Sequence, residues 1–201
     1  VERSRGLGDV YKRQVVRHGF GSCYDKEGKL SFSGHWLHNR REGLGKSYHK
    51  NGNLAYDGFW KGNKKENFGK MYDIDGDLLY DGQWKNNCMH GYGCCYFLVS
   101  ENKIDIHSIS RGRKCLYYAG YLSGNQPHGK GTGFQKDGSI SFQANYHKGK
   151  KHGKVTTFFD SGSKVDVHYK HDVLHGPAIF YEKDGKTIQK RGKYVKETFV
   201  D

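Results

Sequence analysis

The sequence predicts an all-β protein, an elongated single-layer antiparallel meander of about seven stacked β-hairpins. Three observations carry this. Six residue columns recur every 24 residues. A glycine-containing turn signal recurs inside each period, and apolar and polar residues alternate along the flanking segments. The composition agrees: of 201 residues only 34% are hydrophobic, yet 14% are aromatic and 29 are glycine. That is too aromatic for a disordered tail and too poor in apolar residues for a thick two-layer core.

The chain begins with a segment of a different kind. Ser4 to Gln14, SRGLGDVYKRQ, resembles the in-frame translation of a sequencing-library adapter. Residues 1–14 are therefore set apart as a non-native artefact, and residues 15–201 are assigned to the repeat array. The native chain is then expected to start further upstream. The segment holds Arg3, Arg5, Lys12 and Arg13 against Glu2 and Asp9, so the array keeps +11 of the whole chain's net charge of +13. No apolar run has the length of a transmembrane helix, and no secretory signal is visible. The five cysteines are odd in number and irregularly spaced, which argues against a disulfide framework and for a reducing compartment.

The repeats follow in order. The first opens at His18-Gly19-Phe20-Gly21 and closes on Leu30, Phe32, Gly34 and Trp36. Trp60 and Trp84 repeat Trp36 at 24-residue steps, as do Gly58 and Gly82 with Gly34, and Tyr56 and Tyr80 with Phe32. The fourth unit opens at His90-Gly91 and resumes at Leu116-Tyr117-Tyr118-Ala119-Gly120, with Leu122 in the tryptophan column. Units opening at His128-Gly129, His152-Gly153 and His175-Gly176 follow, drifting by a residue. The fourth unit carries an insertion over residues 97–115, read as a hairpin-tip extension with a basic return limb.

The third unit shows what one repeat is. Phe68, Lys70 and Tyr72 alternate along a first strand, and Asp75-Gly76 marks the hairpin turn. On the second strand Leu78, Tyr80, Gly82 and Trp84 share one face, while Leu79, Asp81, Gln83 and Lys85 share the other. The glycine between the two aromatics leaves room for a neighbouring ring. The link between hairpins is read as a short polar loop ending in His-Gly or a variant, as in Asn39-Arg40-Arg41-Glu42-Gly43. A lone hairpin is marginal in water, so the units must pair edge to edge.

His-Gly-x-Gly, then Tyr, then Asp-Gly, then Tyr-x-Gly-x-Trp resembles the MORN repeat (membrane occupation and recognition nexus), over essentially all of His18 to Tyr194. The resemblance implies an open, twisted β array with a binding or scaffolding role. Such arrays accompany junctophilins, lipid kinases, SET-domain methyltransferases and protist cytoskeletal scaffolds.

Sequence chemistry points away from catalysis. No nucleophile with a base, no phosphate-cradling motif and no carboxylate pair stands out, and no cofactor is expected. His18, His90, His128, His152 and His175 each open a unit, which a repeated structural position explains better than metal or catalysis. Adjacent Cys94 and Cys95 would point to opposite faces of a strand, which disfavours zinc. His168 and His171 are likewise not read as ligands.

Two surfaces are candidates for binding. The aromatic face, with Tyr56, Trp60, Tyr80, Trp84, Tyr118, Phe142 and Tyr146, either packs on itself or lines a groove for a partner. The doubled cations Arg40-Arg41, Lys64-Lys65 and Lys150-Lys151, with Lys148, are placed along one sheet edge, where they would attract an anionic surface. Interspersed acids argue against nucleic acid. The reading is a non-enzymatic scaffold or adaptor, cytoplasmic and associated with membrane or cytoskeleton. Its partner is a protein or anionic phospholipid, and open sheet ends favour self-association. The alternative is a regulatory or targeting region of a larger enzyme, such as a lipid kinase or SET-domain methyltransferase.

Overall fold

The computed structural model describes residues 16–98 and 114–201. The segment set apart as an artefact, and most of the insertion, lie outside them. The first five strands are β1 Gly19–Tyr24, β2 Leu30–Leu37, β3 Arg40–Tyr48, β4 Leu54–Lys61 and β5 Lys64–Tyr72. The next five are β6 Leu78–Lys85, β7 Cys88–Leu98, β8 Lys114–Ser123, β9 Gln126–Phe134 and β10 Ile140–His147. The last are β11 Lys150–Phe158, β12 Lys164–Lys170, β13 Val173–Tyr181, β14 Ile188–Val195 and β15 Thr198–Val200. All belong to one antiparallel sheet whose strand order is the sequence order. This is the single-layer meander the period predicts, with one strand more than seven hairpins require. β15 begins an eighth unit, and its Phe199 packs against Tyr194 and Phe180 with ring centres 5.3 and 5.5 Å apart.

Two kinds of turn alternate along the chain. Within a unit the turn is a tight loop closed by a glycine of positive φ. At the first, the Gly28 N–H donates to the Asp25 carbonyl at 3.1 Å and the Asp25 N–H to the Lys29 carbonyl at 2.8 Å. Asp25 Oδ1 also accepts from the N–H groups of Glu27 and Lys29, fixing the loop. Between units the turn is only two residues long, both with positive φ: His38-Asn39, Gly62-Asn63, Asn86-Asn87, Gly124-Asn125, Lys148-Gly149, His171-Asp172 and Lys196-Glu197. That backbone matches the twist of the flanking strands.

The second kind corrects the reading of the link. Arg40 to Gly43 are not loop but the start of β3. What sequence inspection takes for a loop ending is a bulge. β2 and β3 pair as Gly34 with Gly45 and then Trp36 with Arg41, so three residues of β3 oppose one of β2. Gly43 sits in that bulge at φ 68°, and Gly91, Gly129, Gly153 and Gly176 occupy the same place in later units.

The core lies on one face. Phe32, Trp36, Tyr56, Trp60, Tyr80, Trp84, Tyr118 and Leu122 form its first part, all buried. The rings from Phe32 to Trp84 form an unbroken edge-to-face ladder, with successive centres 5.1 to 5.5 Å apart. Where aromatics lapse, Ala144, Val155, Val167 and Ala178 continue the core.

Full burial in a single layer needs a floor, walls and a roof. The floor is glycine. Gly58 faces Gly69 across β4 and β5; a Cβ on Gly69 would overlap the Tyr56 ring, and one on Gly58 the β5 backbone and the Tyr56 hydroxyl. The Gly82–Gly93 and Gly120–Gly131 pairs do the same under Tyr80 and Tyr118. The walls are the tryptophans, whose Nε1–H groups donate to the carbonyls of Gly21, Gly45 and Gly69 at 3.1, 2.9 and 2.9 Å. Opposite the bulge stands a backbone carbonyl that a tyrosine hydroxyl reaches. The Tyr56 hydroxyl donates to that carbonyl on Phe59 at 3.2 Å, and Tyr80 serves Gln83 at 2.8 Å. The phrase Tyr-x-Gly-x-Trp therefore encodes a ring, the space beneath it and a tether to the neighbouring strand.

Candidate functional site

The predicted aromatic residues supply this core rather than an open groove. Tyr56, Trp60, Tyr80, Trp84 and Tyr118 are at most 5% exposed, and Phe142 and Tyr146 are half-buried against the second cluster. Burial pushes the phenols of Tyr56, Tyr80 and Tyr118 far above their ordinary value, and that of Tyr146 up to about 12. Of the two readings of this face, self-packing describes it.

The roof comes from the cations. The Arg41 guanidinium lies 4.8 and 4.9 Å from the ring centres of Phe32 and Trp60. The Lys65 ammonium lies 4.8 and 4.7 Å from those of Tyr56 and Trp84, and Lys151 covers Phe142 and Tyr169. Arg17 covers Trp36 in the same way, while Met89 and Leu174 take this column in units where no cation stands. Burial pulls the Arg41 guanidinium and the Lys65 ammonium down from their ordinary values. The doubled cations thus part company. Arg41, Lys65 and Lys151 turn inward to the core, and Arg40, Lys64 and Lys150 stay exposed beside the two-residue turns, with Lys148 among them. The alternation of a strand is the reason, since neighbours point to opposite faces.

The opposite face holds a feature that the sequence reading passed over. Phe20, Leu44, Phe68 and Tyr92 are all more than half exposed. Strand pairing sets them beside His35, Phe59, Gln83 and Tyr121 respectively, in one row across β1 to β8. The signal was present, for these four residues also recur every 24 residues. Beyond β8 the row turns polar, with Lys130 beside Asn145. There the sheet forms an open trough of about 500 Å³ bounded by Tyr92, Tyr121, Lys130, Gln143, Asn145 and Lys154. Next to the apolar row runs a polar one, with ion pairs Lys46–Asp57 at 3.3 Å and Lys70–Asp81 at 3.4 Å. Both are solvent-exposed and contribute little to stability. At the far end Lys154 meets the largely buried Asp166 at 2.8 Å.

Two sequence inferences on cysteine and histidine acquire geometry. Cys94 pairs with Asp81 and Cys95 with Tyr80, so the two thiols do lie on opposite faces. The cysteines among the described residues are free. The unit-opening His90, His128, His152 and His175 occupy the first bulge position, which Glu42 and Glu66 hold in the second and third units. From there the Glu42 and Glu66 carboxylates accept the N–H groups of Gly62 and Asn86, at 2.9 and 2.8 Å.

No helix among the described residues is long and apolar enough to cross a membrane. The family model described as MORN repeat matches residues 56–78, 80–97, 118–132 and 142–163, and the one described as MORN repeat variant matches residues 41–61. No curated protein shows significant similarity to the chain.

Proposed function

The chain is a MORN-repeat protein, and from that premise we propose that it is a non-enzymatic scaffold holding a protein partner against its outer face. The observation that carries this is the row of Phe20, Leu44, Phe59, Phe68, Tyr92 and Tyr121, exposed while every ring of the facing ladder is covered. Contiguous exposed aromatics are what protein partners bury at the centre of an interface. The lysines and amides that continue the row beyond Tyr121 suit a partner segment with an apolar part followed by acidic or polar residues.

Proximity crosslinking in cells tests it. Phe20, Leu44, Phe68 and Tyr92 changed together to serine should leave the unfolding midpoint in place, because these side chains are exposed, and should remove the crosslinked partner. Charge reversal of Arg40, Lys64 and Lys150 should retain it. Equal crosslinking by the serine variant and the unchanged protein would refute the assignment.

A second reading has its own observation. Arg40, Lys64, Lys148 and Lys150 are exposed along one turn edge of a chain with net charge +13. That edge is suited to an anionic phospholipid surface. Sedimentation with acidic and with neutral liposomes decides it, and equal binding to both would remove this reading.

A further inference from the structure

We propose that His147, His152 and His171 form a binding site for one divalent ion of the nitrogen-preferring class, with zinc as its type, and that His128 flanks it as a fourth ligand. The rings come from three consecutive strands and a turn, β9 to β11 and the His171-Asp172 turn. Their centres lie 4.9 Å apart for His152 and His171, 6.2 Å for His147 and His152, 6.4 Å for His147 and His171, and 5.5 Å for His128 and His147. Zinc binds an imidazole nitrogen at about 2.0–2.1 Å in tetrahedral geometry, so two rings on one ion have centres roughly 5 Å apart. The observed triangle is within about 1.5 Å of that on every side. As the side chains stand, no three His, Cys, Asp or Glu among the described residues are placed to hold a metal ion. All four side chains are exposed and free to rotate about their own side-chain bonds, which is the movement the site requires to bring its nitrogens onto one ion.

The fold explains why the rings gather. In earlier units the first bulge residue reaches the next two-residue turn, as Glu42 reaches Gly62 and Glu66 reaches Asn86. His152 occupies that bulge position and His171 that turn position, so a contact built for a carboxylate and an N–H becomes one between two imidazoles. His128 repeats the reach one unit earlier, its Nδ1 facing the Lys148 N–H at 3.4 Å, which leaves Nε2 available. His147 ends β10 between them. His18 and His38 repeat the relation in the first unit, with centres 5.8 Å apart, but with no further ring in contact among the described residues.

The donors select the ion. Imidazole suits zinc, nickel and copper, while calcium and magnesium want oxygen. The nearby carboxylate, Asp172, already accepts the Lys151 N–H at 2.7 Å through Oδ1. Lys148 and Lys150 next to the rings oppose a cation, so the site is one of modest affinity.

Equilibrium dialysis of the full chain, purified without a histidine tag, against zinc chloride tests this. One ion per chain should bind saturably. His152→Gln with His171→Asn should weaken binding by about tenfold or more, since losing even a residue that supports a ligand costs that much. Asn is used because His171 has a positive φ that Asn tolerates. His18→Gln with His38→Asn should leave the affinity unchanged. Circular dichroism confirms that both variants fold. Cobalt spectra separate the donors, and a sulfur-to-cobalt charge-transfer band would place the ion on cysteine and overturn the proposal. Absence of saturable zinc binding, or equal affinity in the His152/His171 variant, would overturn it too.

Discussion

Gly69 lies directly beneath the ring of Tyr56, so that the space a methyl group would take on β5 is filled by an aromatic from β4. Neither Gly69 nor its partner Gly58 has a positive φ. Their role is therefore room, not backbone freedom. Gly69→Ala should lower stability by about 1–3 kcal/mol, the usual cost of overpacking. Chemical denaturation reads this, and an unchanged midpoint would contradict the stacked core.

Lys64 and Lys65 are adjacent but should behave differently. Lys65 covers two rings at 4.7 and 4.8 Å, so Lys65→Ala should cost about 1–2 kcal/mol through lost cation–π contact and packing. Lys64 is exposed, and Lys64→Ala should stay within about 0.5 kcal/mol. Thermal unfolding of the two single variants makes the comparison.

How much of this was legible follows from these residues. The column of Tyr56, Gly58 and Trp60 declared its period and its shared face, so the sheet and its core residues could be read directly. The sequence could not say that Lys65 belongs to the core, because a lysine that lies over a ring and one that faces water have the same letter. Nor could it tell the face that Phe68 occupies. Alternation separates two sets of residues but does not say which set finds cover, and here the cover came from cations read as an edge. His-Gly misled for a related reason, since glycine at positive φ serves a bulge as readily as a turn.

Asn87 joins neighbouring units through two bonds to one residue. Its N–H donates to the Lys65 carbonyl at 3.0 Å, and its Oδ1 accepts the Lys65 N–H at 2.7 Å. Asn39, Asn63, Asn125 and Asp172 accept in the same way. In the fifth unit Gly149 takes the asparagine position and Pro127, which has no N–H to give, takes the donor position. Asn87→Gly keeps the turn and should cost about 1–2 kcal/mol for the lost bond and its stranded donor. Gly149→Asn should gain nothing by itself but should gain once Pro127→Ala restores the donor. A double-mutant cycle measures that coupling, and additive effects would disprove it.

Asp166 should make stability fall in acid. Burial by itself would raise its carboxyl pKa, but Lys154, Thr156 and Tyr181 outweigh burial and hold it below the usual carboxylate range. A folded-state value below the unfolded one means that the contribution is complete above the ordinary value of 3.8 and is lost as pH falls through the folded one. Denaturation from pH 7 downward should therefore show a decline that Asp166→Asn lacks.

Cys95 should resist alkylation. Burial, and then Cys94 beside it, push its thiol up from 9.0 to about 11. The reactive thiolate is thereby depleted roughly a hundredfold at neutral pH. Mass spectrometry of a timed iodoacetamide reaction should find Cys95 modified late, and modified promptly once denaturant is added.

Each strand is bonded only to the strands before and after it in the chain. Among the described residues no element clasps the sheet across its length, so a pull on its two ends would meet one hairpin at a time. Each 24-residue period that opened would release roughly 80 Å of extended chain. Under load the molecule would lengthen in steps while the untouched units kept their structure, as a shock absorber does.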